Sequence, residues 1–170
     1  MRFLLSAILI LVIFSCSPKV NNTIVPADQL PDSNLSIKSG DSCYDLQIIS
    51  LKLLEKSKKE VVVEYIIMNN GNQAVNIEGE KRSKSDNIGI QIFFSGDDKF
   101  NRGDLLVDGI FLETPSDSDG TIPAKSAYKA QLIIDLDRKT SFHSSLIMHV
   151  DPIQIYNECD ETNNYASMKF

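Results

Sequence analysis

Two regimes of hydrophobic patterning divide the chain. Phe3 to Phe14 is an almost unbroken apolar run, interrupted only by Ser6. From Cys43 onward, short apolar runs alternate with turn residues. This spacing predicts strands over Tyr44–Leu54, Glu60–Met68, Ile88–Phe94, Leu105–Leu112, Tyr128–Leu136, Ser145–Val150 and Ala166–Phe170, with a short extended piece at Ala74–Ile77. Glu60–Met68 has the strongest β character, through Val61, Val62, Val63, Tyr65, Ile66 and Ile67. It runs into Asn69-Asn70-Gly71-Asn72, a turn composition. Period-two alternation places Ile90, Ile92 and Phe94 on one face. It does the same for Tyr128, Ala130, Leu132, Ile134 and Leu136, for Leu146, Met148 and Val150, and for Ala166, Met168 and Phe170. No helical stripe is sustained. About seven antiparallel strands in residues 43–170 predict an all-β, immunoglobulin-like sandwich.

The first apolar run follows the single positive charge of Arg2 and is shorter than the roughly 20 residues a spanning helix needs. Residues 1–15 are therefore read as a signal peptide. Its end, Ile13-Phe14-Ser15-Cys16, resembles the bacterial lipobox, with Phe14 bulkier than is usual there. That resemblance implies a lipid (diacylglycerol and palmitate) on Cys16 and localisation at a bacterial cell envelope, with the outer membrane as the expected leaflet. Residues 16–42 carry Pro18, Pro26 and Pro31 among Asn, Ser and Asp, with no persistent period. They are read as a disordered tether between the anchor and the domain 43–170.

Charge narrows the partners. The chain carries 17 basic and 23 acidic side chains, a net of −6. This disfavours nucleic acid, which binds through Lys/Arg fields. The acidic residues Asp97, Asp98 and Asp104 are weak calcium candidates, because calcium takes six to eight oxygens; the alternative is a solvated loop. No other cofactor is expected. His143 and His149, the two histidines, lie too far apart on one strand to share a metal. No nucleophile elbow, phosphate loop or zinc-protease motif occurs, so no enzymatic activity is expected.

The most specific stretch is His149-Val150-Asp151-Pro152, Ile155 and Glu158-Cys159-Asp160-Glu161-Thr162-Asn163-Asn164-Tyr165. It resembles the ending of CARDB domains, the cell-adhesion-related domains of bacterial surface proteins. Asp45-Leu46, Asn70-Gly71 and the Asp97–Asp104 segment agree with it, whereas Ala124-Lys125 stands where the family often has a glycine before its fifth strand. The resemblance implies a seven-strand sandwich with a binding, adhesion or assembly role. The expected partner is an unknown protein or polysaccharide. The alternative role is a periplasm-facing accessory subunit of an envelope complex.

In such a strand path, the turn around Asn70 and the 151–164 loop share one end with Cys43. Asn70, Glu158, Glu161, Asn163 and Asn164 are expected to bond loop backbone groups there. Cys43 and Cys159 lie at the same end, as a disulfide or as two free thiols. The leader reading is tested by Cys16→Ala. Incorporation of labelled palmitate is expected to vanish, leaving precursor or soluble protein; a labelled, membrane-bound variant would refute it.

Overall fold

The computed structural model describes residues 22–30, 42–78, 87–136 and 143–169. Residues 1–15, read as a signal peptide, Cys16, most of the stretch read as a tether, Lys81–Lys84 and Phe170 lie outside these residues. The described residues form ten strands: β1 (Thr23–Val25), β2 (Leu46–Lys56), β3 (Glu60–Asn69), β4 (Val75–Asn76), β5 (Gly89–Ser95), β6 (Leu105–Phe111), β7 (Thr121–Ile122), β8 (Ala127–Asp135), β9 (Ser145–Val150) and β10 (Tyr165–Lys169). They make two four-stranded antiparallel sheets, ordered β1-β8-β3-β2 and β10-β9-β5-β6, and a small β4-β7 pair.

Hairpins keep β2 beside β3, β5 beside β6 and β9 beside β10, β1 and β2 stand at opposite edges of the first sheet, and the remaining connections pass from one sheet to another. This is the all-β sandwich expected from the alternation, with seven principal strands. The core lies between the sheets and draws on both: Leu46, Val63, Tyr65 and Ile67 from one, Ile90, Ile92, Phe94 and Met148 from the other. The inward positions Tyr128, Ala130, Leu132, Ile134, Leu146 and Val150 are buried as the period-two pattern requires. The stretch 51–56 continues β2.

The tether reading is corrected for residues 22–30. β1 pairs with the edge of β8, and the Asn22 amide donates to the Glu113 carbonyl at 2.8 Å and to Tyr128 Oη at 3.1 Å. A three-residue β-branched run is too short to show a period in sequence. Its placement has a tertiary cause. Leu30 and Ile49 pack on Ile66, Met68 and Ala127, apolar residues outside the main core. The segment thus covers an apolar patch on the first sheet. Lys125, where a glycine would be the easiest residue, adopts φ 61°, as Asp151 does at 49°.

Removing a buried side chain should cost far more than removing a half-exposed one. Ile92→Ala, at the centre of the core, is expected to destabilise by about 2–5 kcal/mol. Ile133→Ala, on the solvent side of β8, is expected to cost under about 1 kcal/mol. Urea unfolding of both variants checks this, and equal costs would contradict the assignment of faces.

Candidate binding surface

The polar residues singled out in the sequence converge at one end of the sandwich. Cys43 and Cys159 are joined by a disulfide, with Cα atoms 5.9 Å apart and a separation of 116 positions in sequence. Tyr44 and Glu158 form a bridge, and the Cys159 N–H donates to the Tyr44 carbonyl at 2.9 Å. Glu158 accepts from the Leu46 N–H through Oε2 and from the Asn164 amide through Oε1 at 2.9 Å. Glu161 accepts from the Glu158 N–H at 3.1 Å. Asp45 receives the side-chain amides of Asn163 at 2.8 Å and Asn70 at 3.0 Å. Asp151 holds its own loop by accepting the N–H groups of Ile155 and Tyr156, each at 2.9 Å. Gly71 is needed here for space, since a Cβ would collide with the Cys43 carbonyl.

These side chains clasp the start of β2 to the loop before β10. Burial raises the Glu158 carboxyl to about 8, aided by the charges of Asp151 and Glu161 and opposed by the Leu46 N–H and Asn164 amide. Burial also raises Asp151.

Asp97, Asp98 and Asp104 lie at the other end, and the structure does not assemble them as calcium ligands. Among the described residues no group of three His, Cys, Asp or Glu side chains is placed to hold a metal. Asp97 accepts the Lys99 N–H at 2.9 Å and Asp104 the Asn101 N–H at 2.7 Å, while Asp98 is exposed. These bonds fold the β5–β6 loop, which carries Phe100.

The surface that alternation alone does not reveal is the outer face of the β10-β9-β5-β6 sheet. Pairing registers define two rows across all four strands: Gly109-Gln91-His149-Tyr165 and Leu106-Phe93-Ile147-Ser167. Residues paired across antiparallel strands share a face. Phe100 reaches over this face, with its ring 4.9 Å from both Phe93 and Tyr165, and Tyr165 stacks on His149 at 4.1 Å. Beside them, Phe111, Pro152 and Ile153 border a trough of about 200 Å³ whose floor is Gly89, Gln91 and Gly109.

Of the seven large hydrophobic residues that are exposed among those described, five belong to this face: Phe100, Leu106, Phe111, Ile153 and Tyr165, at 37–58% exposure. The outer face of the other sheet differs, carrying the Glu64–Lys129 ion pair at 3.0 Å and the patch under Leu30. The available sequence signal was a breach of alternation: Phe93 beside Phe94 and Ile147 between Leu146 and Met148 put apolar residues on both faces of β5 and β9.

No protein-family model and no curated protein matches the chain. Among solved structures, it is similar to the CARDB domain of a Pyrococcus furiosus protein, crystallised in complex with di-metal ions. The identity is 14% and the TM-score 0.47, over 77% of this chain and 96% of that one. It is also similar to a beta-glucosidase from Kluyveromyces marxianus in complex with glucose, at 14% identity and TM-score 0.32, over 76% of this chain and 14% of the enzyme.

The clasp makes stability pH-dependent. Carboxyls raised in the folded state bind protons there that the unfolded chain has already released. The Glu158 contribution is complete below about 4.5 and is lost as pH rises toward about 8, and that of Asp151 runs in the same direction. Asp119, lowered by the Thr121 hydroxyl, acts oppositely but only in the acid range, and His149, lowered by burial, offsets part of the trend below about 6.5. The melting temperature is therefore expected to fall between pH 5 and pH 8, and Glu158→Gln to flatten that slope. A calorimetric profile that rises over this interval would contradict the assignment.

Proposed function

We propose that this chain is a non-catalytic binding module of a bacterial cell envelope. A lipid on Cys16 would hold it in the outer membrane, and the outer face of the β10-β9-β5-β6 sheet engages a protein or polysaccharide partner. The observation that carries this reading is the gathering of five half-exposed hydrophobic side chains on one sheet face. Exposed apolar patches rimmed by polar groups mark interaction sites on soluble proteins, because water is released when they are covered. The corresponding patch on the first sheet is covered by the chain's own Leu30.

A non-catalytic role is supported by the employment of the acidic side chains. Asp45, Asp151 and Glu158 are buried and hold backbone or amide donors of the clasp. Their task is to satisfy loop groups, and the sequence carries no motif that pairs a nucleophile with a base.

A photo-crosslinking amino acid placed at Phe111 in intact cells is expected to trap a discrete partner, whereas the same residue at Ile133, on the other sheet, traps none. Equal labelling from both positions, or none from either, would refute the use of this face.

A further inference from the structure

The trough beside the aromatic cluster has features that define its occupant more closely. Its floor contains two glycines, and the backbone requires neither. Among the described glycines only Gly120 has a positive φ. A Cβ on Gly109 would meet nothing closer than the Ile90 carbonyl at 4.0 Å, and one on Gly89 would make ordinary contacts with Pro152 and Phe111 at 3.8 and 3.9 Å. Glycine weakens a strand interior, since it adds backbone entropy and packs nothing. Two of them here leave an open space where any other residue would stand.

The surroundings of that space differ in chemistry. On one side are the apolar faces of Phe111, Pro152 and Ile153. Outside the lining, one register step beyond Gln91, the His149 and Tyr165 rings lie stacked on the same face, 20° from parallel. Gln91 sits between the trough and those rings, presenting an amide that can both donate and accept. Among the described residues no ionised side chain borders the trough, and burial lowers the His149 pKa so that the imidazole is neutral near pH 7. At about 200 Å³ the space is smaller than the roughly 300–1,000 Å³ of a drug-sized cleft.

An uncharged sugar ring fits this combination. A pyranose presents C–H faces that lie against aromatic and aliphatic side chains, and hydroxyls that pair with an amide. A peptide adding as a strand would find Gly89 and Gln91 already paired on both sides, with β6 and with β9 or its extension at Asp151, and could pair only along the outer edge of β6, off the trough floor at Gln91. An anionic glycan would need cations, which the described lining lacks. We infer that the trough over Gly89, Gln91 and Gly109 binds one pyranose residue of a neutral glycan, with adjoining residues of the glycan resting on Tyr165 and Phe100. This inference rests on the proposal that the same sheet face is the binding surface.

The test is calorimetric titration of the full chain, solubilised in detergent, with four neutral probes: cellohexaose, maltohexaose, mannohexaose and N-acetylchitohexaose. At least one is expected to bind with a sub-millimolar Kd. Gly109→Val, which fills the trough with a residue suited to a strand, is expected to weaken that binding at least tenfold without lowering the melting temperature. Gln91→Ala and Tyr165→Ala are expected to do likewise, and Leu54→Ala, exposed elsewhere, to leave it unchanged. Failure of all four probes, or binding indifferent to Gly109→Val and Gln91→Ala, overturns the inference. A protein trapped from position 111 in the absence of glycan binding would overturn it while leaving the binding face intact; absence of both would remove the two together.

Discussion

The disulfide between Cys43 and Cys159 ties the segment entering β2, on one sheet, to the loop entering β10, on the other. The strands β2 to β9 are all threaded between these two points in the chain. Closing so long a loop removes conformational freedom from the unfolded chain, worth about 5 kcal/mol in the chain-entropy model. That is comparable with the whole net stability of many domains, about 5–15 kcal/mol. The bond also fixes where the polar clasp must form. The Tyr44–Glu158 bridge lies beside it, and Asn70, Asn163 and Asn164 all close on Asp45 or Glu158.

The clasp solves a problem that the sandwich creates. A loop of 14 residues between β9 and β10 folds over the core's end and brings backbone N–H groups out of water. An unmade hydrogen bond costs about 1–3 kcal/mol when buried. Asp151 caps two such groups and Glu161 one, while Glu158 takes the N–H of Leu46 at the start of β2. The carboxyls are buried in return, so Glu158 and Asp151 titrate above their ordinary range. Sequence composition that looks like a metal site or a catalytic pair is used here for backbone satisfaction.

With that end closed, the described residues leave one apolar face uncovered. The first sheet shields its outer patch with the segment ending at Leu30. On the second, the acidic turns at Asp97 and Asp104 shape a loop that lays Phe100 beside Phe93 and Tyr165. Loop polarity and surface aromaticity are therefore parts of one arrangement: the carboxylates fold the loop, and the loop delivers the ring.

Much of the fold was legible along the chain because strand alternation is a local property. Tyr128 to Ile134 and Leu146 to Val150 announce their buried faces through period two, whatever they pack against. The neighbourhood of Cys43, Asn70 and Cys159 followed from strand direction. The segment around Thr23 escaped because three residues carry no period, and only the exposed apolar patch beside β8 and β3 gives them a place. The exposed apolar face escaped for a different reason. Phe100, Leu106, Phe111, Ile153 and Tyr165 are scattered along the chain, and each alone is an ordinary exposed residue. Sequence determines which side of its own strand each residue occupies. Pairing register across four strands, and the fold of one loop, decide that these residues become neighbours, since both depend on contacts between residues distant in the chain.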